Sequence, residues 1–415
     1  MSSPGELIEL EAAKELVLER ASALGREDVD LSCALGQTLA EDITSLEMVP
    51  GFDNSAMDGF AVRASDTRAA SSASPVRLRA VDESRAGSPA RRALEPGEAI
   101  AISTGAALPV GADAIVRAED TQRVGAEVEV RAAVAVGEHL RSAGDDIRAG
   151  ELVLAAGASI GPFELGVLAS VGRAVVPCVR RPSVRVLTTG DELLDPREPL
   201  RPGAVRNANS YTVPALARLA GAEVRGVETV GDDPAATLRA LQATLACDVA
   251  IACGGVSVGS HDHVRDALDR AGVEQHFWRV ALRPGKPTWF GTLARAPGEA
   301  ETLVFGLPGN PVSAIVTFLL FVRPALRALG GADPARERIT AVLDEGYRKE
   351  PGRAEALRCA LELRDDGWHA RPTGPQGSHV LTSMLGADGL GILPTASAGV
   401  AAGEAIDVEL LPRLG

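Results

Sequence analysis

A chain of 415 residues, 46% hydrophobic, is long enough for several domains with separate cores. A formal charge of −14 and an aromatic content of 3% argue against a general nucleic-acid binder or a base-stacking platform, although a local Arg/Lys cluster can still hold a small anion. Cys33, Cys178, Cys247, Cys253 and Cys359 show no CxxC spacing and read as reduced, buried thiols; the opening MSSPGELIELEAAKELVLER is a poor secretory signal, and the longest apolar run, 314–322, is too short to span a bilayer. The expectation is a soluble cytoplasmic protein that engages neither membrane nor nucleic acid.

In chain order, apolar Leu7, Leu10, Leu16, Val17 and Leu18 among Glu and Lys predict an amphipathic helix over 6–24. LSCALGQTLAEDITS predicts a short helix leading into a strand. From Val76 to Val136 short apolar alternations broken by Gly and Pro predict an all-β module, and 139–172 a turn, a short strand and an apolar helix. The stretch from Ser183 to Leu326 then alternates strands (SVRVLTT, EVRGVETV, DVAIAC, LVFGL) with helical runs. That grammar predicts a parallel sheet with helices on both faces, whose ligand crevice lies beyond the strands' carboxyl ends. Strand patterns return after Gly330 and predict a second β module.

The loops at those carboxyl ends carry the candidate chemistry. TTGDEL puts Asp191 and Glu192 at a strand end, where Asp191 is a candidate cap for a following helix. Asp232 and Asp233 follow the next strand. GGVSVGSHD offers a Gly-rich loop with Ser257 and Asp262 but no Walker-type Lys. Its His261 and His263 read as ordinary loop residues, whereas carboxylates near a phosphate suit Mg2+. WRVALRPGKPTWFG gathers Arg279, Arg283 and Lys286 in a Pro-stiffened turn, an anion site by composition. In PGNPVSAIV, Asn310 stands at a helix N-cap, Pro311 at the first helical position and Ser313 in the first turn, so the helix end suits an oxyanion. FDNSAMDGFAV, with Asp53, Asn54, Ser55 and Asp58, reads either as a polar site or as an Asx turn. QGSH, with Ser378, reads as a loop.

Taken together and in order, FDNSAMDGFAV, ISTGAALPVGADAIVRAED, SAGDDIRAG, TTGDEL, GGVSVGSHD, RPGKP, LPGNPVSA and GSHVLTSM resemble the molybdopterin molybdenumtransferase family, which includes MoeA and the gephyrin E domain. The resemblance implies a multidomain α/β and all-β fold with a central doubly wound, mostly parallel sheet. Its divisions are residues 1–49 with 140–176 as an elongated, dimerising domain, 50–139 as an inserted β domain, 177–329 as the molybdopterin-binding α/β domain, and 330–415 as a barrel-like β domain. It also implies a homodimer with a site shared between subunits, and a Mg2+-dependent reaction of molybdate with adenylated molybdopterin that yields molybdenum cofactor and AMP. Carried over by motif, Asp58, Glu192, Asp232, Asp262 and Lys286 are the catalytic candidates, with Asp262 on the metal. Thr104, Asp146, Ser257, Arg279, Arg283, Ser313, Arg358 and Ser378 join Lys286 as substrate contacts; Arg283, Lys286, Ser313, Arg358 and Ser378 form the molybdate cradle. Arg279 and Arg283 stand where well-known members carry Lys, which keeps the charge and changes its geometry.

The resemblance further implies transient contact with a molybdopterin adenylyltransferase and with molybdoenzymes or chaperones. Two other functions are open to such a chain. One is the preceding adenylyl transfer, whose enzymes share the central fold in a much shorter chain. The other is receptor clustering of the gephyrin kind, for which no sequence feature can be derived.

Overall fold

The computed structural model describes residues 7–255, 263–335 and 338–412. Its central sheet contains β1 (Ser183–Thr189), α1 (Asn209–Leu219), β2 (Glu223–Val230), α2 (Pro234–Thr244), β3 (Val249–Cys253), α3 (His263–Arg270), β4 (Glu274–Trp278), β5 (Trp289–Leu293), β6 (Thr302–Leu307) and then α4 (Pro311–Thr317). The strand order is β2-β1-β3-β6-β5-β4. The first four strands run parallel, β5 adds antiparallel at one edge, and β4, antiparallel to β5, runs in the direction of the first four.

Period-two alternation explains the double winding. Val184, Val186, Val249, Ile251, Leu303 and Phe305 point to one face, where they meet Val213 and Ala217 of α1 and the helix that starts at α4. Leu187, Ala250, Ala252 and Val304 point to the other and meet Leu241 of α2 and Leu268 of α3. Both faces are buried, as a parallel sheet requires. α4 continues through a π turn (Phe318–Val322) into Arg323–Leu329. Pro324 has no N–H to give the preceding turn, which accounts for the widened winding there. The whole helix, 19 residues with mean hydropathy 1.7 in its most apolar window, is longer than the apolar run suggested, because Arg323 and Arg327 fit at its end. By composition it could cross a membrane, yet that window is 83% buried in the protein core.

Upstream, the chain runs out and back as a ribbon. Arg26–Asp30 pairs antiparallel with Val175–Val179, Ile43–Thr44 with Leu152–Leu154, and Asn54–Ser55 with Leu140–Arg141. At its far end a six-stranded sheet (Ala114–Arg117, Gly59–Val62, Glu98–Ile102, Val76–Ser84, Glu127–Val130, Thr121–Val124, in spatial order) buries its own apolar residues. The predicted first helix is shorter, Leu10–Glu19. Ile8 is extended and bridges Val280, with its N–H on the Arg279 carbonyl at 3.1 Å, so the segment's first apolar residues serve a strand contact. The helix expected in LSCALGQ is one 3-10 turn, Leu31–Cys33, and Cys33 is exposed; the other four cysteines are buried and all five are free.

Downstream, β7 (Arg338–Leu343), β8 (Ala354–Arg364), β9 (Gly367–Pro372), β10 (Gly389–Leu393) and β11 (Ala405–Leu410) close a barrel: β8-β9-β7-β11-β10 and back to β8. Closure leaves no free edge and fills the interior with Leu343, Leu357, Cys359, Leu393 and Val408. Buried Glu409 takes Lys14 from the first helix at 3.2 Å and Arg338 at 3.1 Å, tying helix to barrel.

Asp248, 3% exposed at the amino end of β3, locks the sheet's base. It accepts both ends of the Arg180 guanidinium (2.8 and 2.9 Å), the Ser183 N–H (2.8 Å) and hydroxyl (2.6 Å), and Arg295 (3.2 Å). Burial alone would raise its pKa, but Arg180 and Ser183 outweigh it and hold the carboxyl well below the usual range. A depressed folded pKa contributes stability above the unfolded value, and that stability is lost as the pH falls through the folded one. Asp248→Asn should therefore cost about 2 kcal/mol at pH 7. In urea titrations the gap from wild type should shrink progressively below about pH 4.

Candidate active site

In a sheet ordered this way the chain departs to opposite sides after β1, so the gap beyond the carboxyl ends of β1 and β3 is a natural ligand crevice. A cleft of about 640 Å³ opens there, walled by Glu192, Arg206, Asn207, Asn209, Gly254, Gly255, Pro287, Asn310 and His379, among others. Its floor depends on glycine: a Cβ on Gly254 (φ +90°) would stand 2.8 Å from the Thr189 carbonyl oxygen. The Thr189 hydroxyl and the Asn209 side-chain oxygen are buried there without a hydrogen-bond partner.

Glu192 is exposed and lines the cleft. No helix follows Asp191; the chain instead forms the short strand Leu193–Leu194, paired with Val205–Arg206. Asp191 accepts the Asp232 N–H at 3.0 Å, which joins the ends of β1 and β2, while Asp233 caps α2 through the Ala236 N–H at 2.7 Å. Asn310 holds the N-cap position of α4 but makes no side-chain cap; its amide donates to the Ser378 hydroxyl at 3.1 Å. Together with His379, that contact draws the barrel into the cleft wall. Ser313 is 4% exposed and does not line the cleft. Ser257 and Asp262 lie outside the described residues.

The basic turn forms the partition beside the cleft. Pro287 faces the cleft, while Arg283 and Lys286 line an adjoining hollow of about 280 Å³ with Leu7, Glu350, Arg353 and Glu355. The two-residue strand Leu282–Arg283 pairs in parallel with Ala354–Glu355 of β8, which fixes the turn on the barrel. Arg358 of β8 is wholly buried. Its Nη2 donates to the carbonyls of Pro375 (3.4 Å) and Gly377 (3.3 Å), its Nε to the Ser383 hydroxyl (3.2 Å), and its Nη1 has no partner. Burial lowers its pKa from the ordinary arginine value. Arg279 stands apart from this group, stacked on Trp278.

Asp58 accepts the Thr104 N–H at 2.7 Å and hydroxyl at 3.2 Å, which ties its turn to the loop after Glu98–Ile102. Asp146 is exposed in the ribbon, held by its own N–H on the Val49 carbonyl. None of these three lines the cleft of its own chain. Among the described residues no three His, Cys, Asp or Glu converge on a metal-binding point. The carboxylates at the crevice, Glu192, Asp191 and Asp232, are hard oxygen donors of the kind that suit Mg2+, which takes one or two acids and completes its shell with phosphate and water. Sequence reasoning did not reach Asn207, Asn209 and His379. The asparagines sit in a polar connection with no periodicity, and His379 comes close only through the barrel.

Three successive regions match known family models: the MoeA N-terminal region (domain I and II) over residues 8–172, the probable molybdopterin binding domain over 185–328, and the MoeA C-terminal region (domain IV) over 340–411. The chain is 38% identical over 408 residues to molybdopterin molybdenumtransferase 2 of Mycobacterium tuberculosis, covering 95% of this chain and 97% of that one. It is 36% identical to the Bacillus subtilis molybdopterin molybdenumtransferase over 93% of this chain and 90% of that one. The crystal structure of a molybdopterin biosynthesis MoeA protein from Pyrococcus horikoshii superposes with a TM-score of 0.80 at 33% identity, covering 98% and 99% of the two chains. The chain belongs to the molybdopterin molybdenumtransferase (MoeA) family.

Gly285 gives the basic turn its shape. Its φ is +125°, and a Cβ there would lie 2.5 Å from Thr317 Cγ2 and 3.0 Å from Leu282 Cδ2, both in buried side chains. Gly285→Ala should destabilise the protein by about 1–3 kcal/mol through overpacking and backbone strain, read as a lower urea midpoint with an unchanged slope.

Proposed function

We propose that this protein is an enzyme that inserts molybdenum from molybdate into adenylated molybdopterin, with release of AMP and molybdenum cofactor. The observation that carries the reading is Arg358: a fully buried guanidinium with a free N–H, beside the Ser378 loop and on the strand that holds Arg283. A buried cation without its full set of partners is costly, and a tetrahedral dianion supplies them. Arg283, Lys286, Arg358 and Ser378 then hold molybdate, with Ser313 supporting the helix end from within. The dithiolene end of the substrate meets the molybdate, and its adenylate end runs along the 640 Å³ cleft. Asp262, Asp232 and Glu192 would hold Mg2+, with Ser257 and the Gly-rich loop toward the phosphates. The ion, when bound, screens the phosphoanhydride charge and polarises the bond that breaks.

Asp58, Thr104 and Asp146 supply the remaining polar contacts from a second copy of the chain, in a homodimer built on the 1–49 and 140–176 ribbon. That no member of this set lines its own cleft supports a shared site. The division then runs 50–139 for the inserted module, 177–329 for the pterin-binding part and 330–415 for the barrel. The setting is the cytoplasm, with an adenylyltransferase upstream and molybdoenzymes or their chaperones downstream.

Lys286→Gln should raise half-saturating molybdate roughly tenfold or more while leaving the adenylated-pterin dependence near wild type. Titration of cofactor formation against molybdate, with sulfate as competitor, reads this directly. A shift confined to the pterin dependence would place the turn on the substrate's phosphate.

Mixing Asp58→Ala with Asp262→Ala chains should recover part of the activity that each lacks alone, because a hybrid dimer keeps one complete site. Hybrids as inactive as both parents would place the whole site in one chain.

A further inference from the structure

Two arginines meet on one indole at the carboxyl edge of the central sheet. Trp278 pairs with Trp289, Trp289 with Gly306, and Gly306 with Ala252, so the last residue of β4 lies level with the carboxyl end of β3, three strands across the sheet. The loop leaving β3 leads into α3, whose first turn carries Arg265. The Arg265 guanidinium carbon lies 3.7 Å from the Trp278 ring centroid, and that of Arg279 lies 4.0 Å from it. Apart from the indole, neither side chain has an ion pair or hydrogen bond among the described residues, and the Arg265 Nε is buried without a partner. Arg279 also holds a left-handed backbone, φ +71°, which a non-glycine residue adopts only under constraint.

Two uncompensated like charges within reach of each other disfavour one another unless an anion enters. Stacking leaves the N–H edges of each planar guanidinium free for a bidentate acceptor. We propose that Arg265 and Arg279, spaced by Trp278, form a clamp for the phosphoryl oxygens of the substrate's phosphoanhydride, separate from the oxyanion cradle around Lys286 and Arg358. This deepens the function proposed above and rests on it. Phosphate fits the placement, since Arg265 stands in the first turn of the helix that follows β3 in sequence, at the carboxyl edge of the sheet, whereas Arg283 is hitched to the barrel.

The test uses AMP as probe. By calorimetric titration Arg265→Gln should bind AMP about tenfold more weakly than wild type. Half-saturating adenylated molybdopterin should rise in step, with half-saturating molybdate within twofold. Arg265→Lys, which keeps charge but loses the fork and the stack, should fall between the two, and it carries the test if the Gln variant does not fold. AMP should perturb the tryptophan emission of the wild type, and Trp278→Phe should abolish that change. AMP affinity in both Arg265 variants equal to wild type, or a shift in molybdate dependence alone, overturns the clamp. A wild-type chain that binds AMP through Arg265 yet forms no cofactor would leave the clamp standing and sink the proposed reaction instead.

Discussion

The arrangement of the site depends on one short contact between two parts of the chain, the parallel pairing of Leu282–Arg283 with Ala354–Glu355. The Ala354 N–H reaches the Ala281 carbonyl at 2.7 Å, and Ala281 in turn donates to Ile8, so three segments meet at the root of the basic turn. Buried Glu355 stands behind it. It accepts the Tyr347 hydroxyl at 2.7 Å and lies 3.9 Å from the Arg283 Nε. Burial and that neighbouring carboxylate push the Tyr347 phenol up to about 12, so it remains a donor at any working pH. The barrel is therefore a support for the cations of the α/β part. Arg358 lies on the same strand, β8, and its Nη2 holds the loop that carries Ser378 through the Gly377 carbonyl at 3.3 Å.

At the crevice the carboxylates Glu192, Asp191 and Asp232 stand at the ends of β1 and β2, with Arg201 on the Asp191 carbonyl at 2.7 Å and Arg206 beside Glu192 in the cleft wall, while Arg283 and Lys286 share their hollow with Glu350 and Glu355. Acids and bases thus alternate around the cleft and the hollow beside it, so each positive group has a negative one nearby and the local potential is set by short-range pairing. Asp248, held by both ends of the Arg180 guanidinium, lies at the opposite, amino end of β3 and serves the scaffold.

Much of the fold could be read in the chain, because buried strands and helices write their periods plainly. β1, β2, β3, β6 and α2 lie within a few residues of the apolar runs that suggested them, and the C-terminal strands likewise. Two features were not legible. The antiparallel insertion of β5 leaves no trace in hydropathy, since it is buried like its parallel neighbours, and β4 is an edge strand whose one buried residue, Phe277, writes no period. The barrel's closure through β8 and β10 is a pairing between distant segments. At the site, the strand-end loops stood out, but not how their side chains were used. Asn310 looked like a cap and instead reaches Ser378, and Asp191 looked like a cap and instead binds the next loop. The Arg265–Trp278–Arg279 stack joins a helix to a strand end, and no spacing rule connects those residues.

The out-and-back ribbon has a consequence for how this molecule could be rebuilt. Its outgoing and returning segments are paired rung by rung, and at Asn54–Ser55 and Leu140–Arg141 the two ends of the distal sheet arrive side by side. The distal sheet buries its own apolar residues and leans little on the central core. It is thus a separately folded unit in a socket: a tight turn from 55 to 140 would close the ribbon over the gap and leave the central sheet whole, while taking away Asp58 and Thr104, the residues proposed to reach a partner copy's site.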